Sequence, residues 1–398
     1  MVEVSNRTRF SDRMIALGKE FAELVVKEPL KGAPWDLAEL REQQNRPAQR
    51  ARRIGEEKFT ADHGPLKTVS FLKKESYAKV GDPRLINQTP TGHTTGLGRY
   101  AGRFKQYMAS RHRKWYKVGQ TPTQIALGLR GLQKAHGVLE GADYSRMDGR
   151  TSVDYRRYVH RPIYMRYFAE LYHGELGELL DKEENASTRT MKFKHKAQTN
   201  GANLSGSGIT TDLNTLDAAF NEYAARRLDG EPLEAAFKSL GAYFGDDSVV
   251  AQAILPKVQA VANLNGMLMT QETKPDGAGP GFVTFLSRIY PDVRTSLASH
   301  PVTQRALKKL CTVVVGPSAT DEDRRNKLAL KVEGVEASDP LAPVLSQYAR
   351  ALKRVYRLGE GTSRAAQALE ALRKENRDFQ YKLKRGPHPV TEADTPLL

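Results

Sequence analysis

The stretch Ala242-Tyr-Phe-Gly-Asp-Asp-Ser-Val-Val250 sets two short β-prone runs on either side of a Gly-Asp-Asp turn. Valine, tyrosine and phenylalanine suit a half-buried pleated surface and Gly-Asp supplies a tight reversal, so the segment predicts strand, turn, strand. The fold must therefore contain a hairpin with two carboxylates, Asp246 and Asp247, at its tip. Carboxylates held this way suit divalent cations, whereas an isolated Gly-Asp-Asp is more simply a solvated acidic loop. What else the chain carries decides between the two.

The 398 residues allow one large or two to three small domains, with ample chain for a core. Lys and Arg number 62 against 46 Asp and Glu, a net charge of +16, and the excess points to a polyanionic partner, nucleic acid first. A single cysteine, Cys311, excludes an intrachain disulfide and a multi-cysteine zinc site and suits a reducing compartment. No run approaches the roughly 20 apolar residues of a membrane span. Met1-Val-Glu-Val-Ser5 also lacks the apolar core of a secretory signal, so the chain is not expected to insert into a bilayer. Between Lys73 and Lys117 eleven lysines and arginines face only Glu75 and Asp82, with Tyr100, Phe104, Tyr107, Trp115 and Tyr116 interleaved. Cations and π-faces together serve single-stranded polynucleotides, neutralising the backbone and stacking bases. Each aromatic taken alone is at least as well explained as the core-facing side of a basic helix.

Periodicity and turn chemistry divide the chain. Ser11–Val26 has helical spacing, Gly32–Arg53 reads as loop and short helix, and Thr68–Leu72 and Pro83–Ile86 read as strands around a basic turn. Pro90–Gly102 has the glycine content of a long mobile connection. A helix over Pro122–Gln133, a strand from Gly137 into Asp143 and a long helix over Val153–Leu180 follow. Lys182–Asn203 is polar and turn-rich, Ile209–Leu228 is a strong helix, and Gln252–Met267 is a helix bent at Pro256. Val283–Tyr290 is β-prone. Beyond Pro291 come helices at Val302–Val313, Asp321–Val332, Leu341–Leu358 and Ser363–Asn376, with a disordered tail from Lys384.

Further carboxylates give the hairpin company. Asp143 and Asp148 lie in Ala142-Asp-Tyr-Ser-Arg-Met-Asp-Gly149, one at the end of a strand and one at the turn into a helix. Two metal ions about 3.5–4 Å apart need carboxylates from more than one element, and Asp143 with Asp246 and Asp247 would suffice for Mg²⁺, which keeps waters and substrate phosphates as its other ligands. Helix capping explains Asp148 alone but explains the set poorly. Between the two sites, Ser205-Gly-Ser-Gly-Ile-Thr-Thr-Asp-Leu-Asn214 is a flexible loop feeding a helix, with Thr210 or Thr211 as an ordinary cap.

The order Asp-x4-Asp, Ser-Gly-x3-Thr-x3-Asn, Gly-Asp-Asp resembles motifs A, B and C of viral RNA-dependent RNA polymerases, unpermuted. Lys73-Lys-Glu75 with Lys79 and Pro83-Arg-Leu-Ile86 looks like motif F. Gly266-Met-Leu-Met-Thr270 with Lys274 looks like motif D, and Val283-Thr-Phe-Leu-Ser-Arg288 like motif E. Six motifs in order span over half the chain, and their wording is most similar to the polymerase region of nodavirus and noda-like replicases. No segment upstream of Lys73 matches motif G, and the membrane-attachment and capping functions of such replicases are not carried over.

The resemblance implies an α+β right-hand polymerase with an antiparallel palm sheet and a helical thumb. It divides the chain into fingers (1–140), palm (141–181), a fingers insertion (182–203), palm again (204–290), thumb (291–383) and tail (384–398). It implies template-directed addition of nucleotides to an RNA 3′-hydroxyl, with Asp143, Asp246 and Asp247 holding Mg²⁺ (Mn²⁺ as alternative) and Lys274 as general acid. Lys73, Lys79 and Arg84 would meet the triphosphate, while Asp148 and Asn214, with Ser205 and Thr210 nearby, would recognise the ribose. Lys74, Arg99, Arg103, Lys105, Gly206 and Arg288 would contact RNA. Implied partners are the RNA template and nascent strand, NTPs, and other viral replication proteins or a membrane-anchoring region not on this chain, with oligomerisation open. Its implied place is the host cytoplasm, at membrane-associated replication complexes. Two rivals are a reverse transcriptase-like polymerase, which typically carries Tyr-x-Asp-Asp where this chain has Gly245 before its aspartates, and a basic RNA-coating or capsid protein, which explains the charge but not the ordered carboxylates.

Overall fold

Fifteen consecutive residues of the helix Thr210–Leu228, from Asp212 to Arg226, are buried. Leu213, Leu216, Phe220, Tyr223 and four alanines give it the all-round apolar surface of a central helix. Ionisable groups are buried with them, and each has a partner. Asp212 accepts the Tyr116 hydroxyl at 2.5 Å and lies 3.6 Å from the Lys105 ammonium. Asp217 accepts the His160 Nε2–H at 2.5 Å. Glu222 binds the Arg226 guanidinium at 2.7 Å, the Gly241 N–H at 2.8 Å and the Tyr243 hydroxyl. A buried charge without a partner costs several kcal/mol, so these pairs decide which elements can surround the helix.

The computed structural model describes residues 7–43, 64–73, 84–192, 194–312 and 318–358. They belong to two compact units, one drawn from 1–73, 84–120 and 131–273 and the other from 74–83, 121–130 and 274–398. In the first unit, β1 (Lys67–Leu72) and β2 (Leu85–Gln88) pair antiparallel, and β3 (Leu139–Tyr144) runs into the Asp143 segment. The segment expected only to be polar and turn-rich forms β4 (Ser187–Thr190) and β5 (Lys196–Gln198), an antiparallel pair that extends the first sheet to the order β2-β1-β4-β5. The predicted hairpin is β6 (Ala242–Phe244) and β7 (Asp247–Ala251); with β8 (Met269–Gln271) it makes a sheet ordered β6-β7-β3-β8, antiparallel throughout. The helix Asp12–Val25 starts at Ser11, whose hydroxyl accepts the Met14 N–H at 3.3 Å. Its Phe21 ring then packs 5.7 Å from Phe220 and 5.4 Å from Tyr223, centroid to centroid.

Three expectations give way to tertiary packing. The glycine-rich connection at 90–102 is instead the start of the helix Thr91–Arg111. Gly102 admits a neighbour: a Cβ there would stand 1.9 Å from the Trp35 ring, so close packing at that position outweighs the low helix propensity of glycine. The long helix expected over 153–180 is interrupted. It runs as Val153–Tyr155, a π turn over Arg156–His160, and Arg161–Tyr167, then breaks where Phe168 turns extended, before resuming at His173–Glu184. The break lets Gly32 bond across it, from its N–H to the Tyr167 carbonyl at 2.8 Å and from the Ala169 N–H to its own carbonyl at 3.0 Å. Pro256 starts the helix Leu255–Leu264 rather than bending one, because its missing N–H is harmless in the first turn. The interleaved aromatics resolve toward the core, Tyr100, Phe104, Trp115 and Tyr116 all being buried and Tyr107 packed against them.

In the second unit, β9 (Val283–Phe285), β10 (Arg288–Tyr290) and β11 (His300–Pro301) form an antiparallel sheet. Leu286 and Ser287, at φ 54° and 59°, make the β9–β10 turn. The helices Thr303–Cys311, Asp321–Ser338 and Leu345–Val355 share a core of Leu310, Val332, Leu345 and Ala349. Thr320 and Asp323 close a capping box at the start of the second. The helix expected over 363–376, the tail from Lys384, and Lys74 and Lys79 lie outside the described residues.

Two outcomes follow for stability. The Gly245 N–H, buried in the hairpin turn, donates to the Thr215 hydroxyl at 2.8 Å. Thr215→Val keeps the shape and strands that donor, so chemical denaturation should show a loss of about 1–3 kcal/mol, and a midpoint within error of the parent protein would refute the link. His112 donates from Nε2 to the Val25 carbonyl at 2.7 Å, and burial pushes its pKa down to about 4. The folded value lies below the unfolded one, about 6.5, so the unfolded chain takes up the proton first. This contribution to stability is whole above pH 6.5 and is lost as pH falls toward and through 4. Stability between pH 7 and 5 should fall by about 1–2 kcal/mol more in the parent than in His112→Gln, and parallel curves would dismiss the assignment.

Candidate active site

Strand pairing builds the site. In the β3–β7 register Asp143 stands opposite Asp247, and in β6–β7 Phe244 stands opposite Asp247, which leaves Gly245-Asp246 as a two-residue turn. Gly245 takes φ +64°, a conformation open to a residue without Cβ. Asp143 and Asp247 are half-buried, and Asp246 is exposed. Beyond β3 the chain reverses at Arg146, at φ 53°, into the short helix Met147–Arg150, whose first turn holds Asp148.

The buried helix delivers Asn214 to this place. Its Nδ2 donates to Asp148 Oδ1 at 2.8 Å. Burial holds the Asp148 carboxyl above the usual carboxylate range, and the negative charge of Asp246 pushes the same way; the Asn214 bond and the Arg84 guanidinium oppose them. Asp148, Asn214, Asp246 and Arg84 therefore share one electrostatic environment. Lys73 is brought beside Arg84 by the β1–β2 ladder, its N–H donating to the Arg84 carbonyl at 2.8 Å.

Other expected residues turn elsewhere. The Ser205 hydroxyl donates to the Leu85 carbonyl at 3.0 Å and accepts the Asn87 N–H at 3.2 Å, and the Thr210 hydroxyl donates to the Leu204 carbonyl at 2.5 Å. Both serve the backbone rather than Asp148. Gly206 lies so near β2 that a Cβ would stand 2.0 Å from the Asn87 carbonyl oxygen. The expected RNA contacts are engaged inside the protein: Arg99 with the Trp35 carbonyl at 2.8 Å and Glu175 at 3.2 Å, Arg103 with Glu39 at 2.8 Å, and Lys105 with the Gly208 carbonyl at 2.9 Å. Arg288 and Lys274 belong to the second unit, where Arg288 pairs with Asp339 at 2.6 Å and donates to the Ser299 carbonyl at 2.9 Å.

Sequence reasoning passed over the residues behind the Asp148–Asn214 pair. Asn203 Nδ2 donates to Asn214 Oδ1 at 2.6 Å and to Thr151 Oγ1 at 3.1 Å, and Thr151 donates to Asp217 at 3.3 Å. No local signal marks Asn203. It sits in a polar stretch without period, and its partners lie 11 and 52 positions away in sequence.

The donor set at the sheet end is oxygen alone, the choice of hard divalent cations. Among the described residues no group of three or more His, Cys, Asp or Glu is arranged to hold a metal unaided. Oxygen donors of this kind suit a hard divalent cation that completes its shell with water and substrate oxygens.

Both the sequence and the fold resemble those of known proteins. The profile of the family described as viral RNA-dependent RNA polymerase matches residues 41–310. The RNA-directed RNA polymerase of Pieris rapae virus is 31% identical over 376 residues, covering 90% of this chain and 36% of that protein. Those of Pariacoto virus (32% identical; 83% and 33%) and Nodamura virus, strain Mag115 (29%; 96% and 36%) are similar. The chain thus spans about a third of the length of these curated relatives. The crystal structure of an insertion loop deletion mutant of the RNA-dependent RNA polymerase of a human picorbirnavirus superposes with a TM-score of 0.69 at 12% identity, covering 96% of this chain and 79% of that one. The fold is accordingly the α+β polymerase fold, and the chain belongs to the viral RNA-dependent RNA polymerase family.

Proposed function

We propose that this chain carries out template-directed RNA synthesis, transferring nucleotidyl groups from NTPs to an RNA 3′-hydroxyl during replication of a viral RNA genome. The observation that carries the reading is the β3–β7 register, with Asp143 opposite Asp247 and Asp246 at the adjoining turn, in a chain of this family. Members of the family generally use divalent metal ions; the proposed ion here is Mg²⁺, with Mn²⁺ as alternative. Held by Asp143 and Asp246 with help from Asp247, such ions would supply charge for the attacking and leaving oxygens.

The remaining work falls to side chains. The 3′-hydroxyl loses its proton to solvent as its oxygen bonds to the α-phosphorus, the bond from that phosphorus to pyrophosphate breaks, and Lys274 gives the leaving pyrophosphate a proton. Lys73, Lys79 and Arg84 neutralise the triphosphate, so alignment and charge carry most of the acceleration. Asp148 and Asn214 read the ribose: a 2′-hydroxyl both donates and accepts, and a carboxylate bonded to an amide offers both complements. Ser205 and Thr210 hold the loop from which Asn214's helix starts. In this reading 1–140 and 182–203 act as fingers, 141–181 and 204–290 as palm, and 291–383 as thumb. Partners are template and nascent RNA, NTPs, and other replication proteins or a membrane anchor outside this chain, at membrane-associated replication complexes in the host cytoplasm. Among the described residues no helix is long and apolar enough to cross a membrane.

Primer extension with NTPs or dNTPs, with and without Mg²⁺ or Mn²⁺, tests the proposal. Metal-dependent incorporation of NTPs is expected, and efficient use of dNTPs or RNA binding without synthesis would overturn it. Asp246→Ala should abolish nucleotide addition and leave RNA binding intact; synthesis by a folded variant would remove the metal assignment.

A further inference from the structure

We infer that Asn203 is a positioning residue for ribose selection, locking the amide of Asn214 in the orientation that faces its N–H toward Asp148. This rests on the ribonucleotide reading given above. An asparagine amide is nearly symmetric in shape, so packing does not decide which end faces a neighbour; hydrogen-bond partners do. Asn203 touches both members of the pair. Its backbone N–H donates to the Asp148 carbonyl at 2.8 Å, and its side-chain Nδ2 donates to Asn214 Oδ1 at 2.6 Å. With its oxygen held there, Asn214 gives an N–H to the Asp148 carboxylate at 2.8 Å. An inverted Asn214 amide would set oxygen against oxygen at Asp148 and N–H against N–H at Asn203.

The orientation of Asn203 is fixed in turn from its far side. Its Nδ2 also donates to Thr151 Oγ1 at 3.1 Å, and the single Thr151 proton goes to the Asp217 carboxylate at 3.3 Å or the Met147 carbonyl at 3.4 Å, leaving a lone pair for Asn203 in either case. Asp217 accepts the His160 Nε2–H at 2.5 Å. All five residues from His160 to Asn214 are buried, with at most 6% of any one exposed, so water has little access to substitute for a missing partner. The result is a directed series of bonds that ends with the second Asn214 N–H and the second Asp148 oxygen uncommitted among the described residues. One donor and one acceptor are thereby presented to a hydroxyl that can answer both.

The test compares kcat/KM for GTP with that for 2′-deoxy-GTP in template-directed single-nucleotide addition by the full chain. The variants are Asn203→Ala, Asn203→Leu, Asn214→Ala and the Asn203→Ala, Asn214→Ala double. Loss of one oriented hydrogen bond should lower the ratio about five- to tenfold in either Asn203 variant, through a raised KM for GTP, and the double variant should be no worse than Asn214→Ala alone. A purely structural role reduces the amount of active enzyme, which scales both substrates and leaves the ratio fixed. An unchanged ratio in the Asn203 variants, with Asn214→Ala still lowering it, overturns the inference, and so does full additivity in the double. If Asn214→Ala itself leaves the ratio intact, the ribose reading falls and Asn203 falls with it. Asn203→Ala, which leaves room for water, carries the comparison should the leucine variant not fold.

Discussion

Sealing a helix from water on all sides while keeping Asp212, Asp217 and Glu222 on it forces a donor to stand against each of them. The donors come from separate stretches of chain: Tyr116 ahead of β3, His160 from the π turn after it, and Gly241 and Tyr243 from the approach to the hairpin and from β6. Shifting any of these stretches by one residue would strand a carboxylate in the interior, where breaking a buried pair costs about 3–5 kcal/mol. Apolar packing tolerates alternatives more readily than this does. The helix Thr210–Leu228 thus acts as the template against which strands distant in sequence find their places, and Thr215, one residue beyond Asn214, extends the same service to the turn itself.

Asp246, at the hairpin tip, lives under a different condition. The carboxylates within the helix are matched by protein donors, whereas Asp246 is exposed and close enough to Asp148 to raise the pKa of that group. The Asp246 and Asp148 charges repel each other, and Arg84 offsets that repulsion in part. A cation arriving with a triphosphate would find its attraction strengthened by this repulsion, because binding relieves it. Paired charge inside the helix fixes geometry, while the exposed Asp246 at the hairpin tip is open to solvent and to what arrives from it.

Features decided by neighbours in sequence were legible, and features decided by remote contacts were not. The hairpin could be read because Gly245 and the flanking β-formers act within nine residues, and the Asp143 and Asn214 spacings because each is set by one strand end or one helix turn. The helix at Thr91–Arg111 could not, since glycine content argued for a loop and only the Trp35 ring, from elsewhere in the chain, explains why small residues are needed there. The break after Tyr167 depends on Gly32, over a hundred residues earlier. Charge was legible as a total but not as an assignment: Arg99, Arg103 and Lys105 look alike in sequence to any RNA-facing cation, yet each is engaged by a carboxylate or carbonyl of its own chain. Asn203 escaped notice for the same reason, its value lying wholly in what it touches.

Gly206 and Gly208 stand two residues apart in one loop and are indistinguishable in a composition count. The first is wedged against the Asn87 carbonyl, with Ser205 bonded to the same strand on its other side. The second has nothing within 4 Å of where a side chain would begin. The start of this loop is therefore riveted to β2, whereas Gly208 is held only through its backbone, its carbonyl accepting the Lys105 ammonium at 2.9 Å, and a side chain there would have room. Two identical letters in the sequence mark one position that excludes a side chain and one that would accept it.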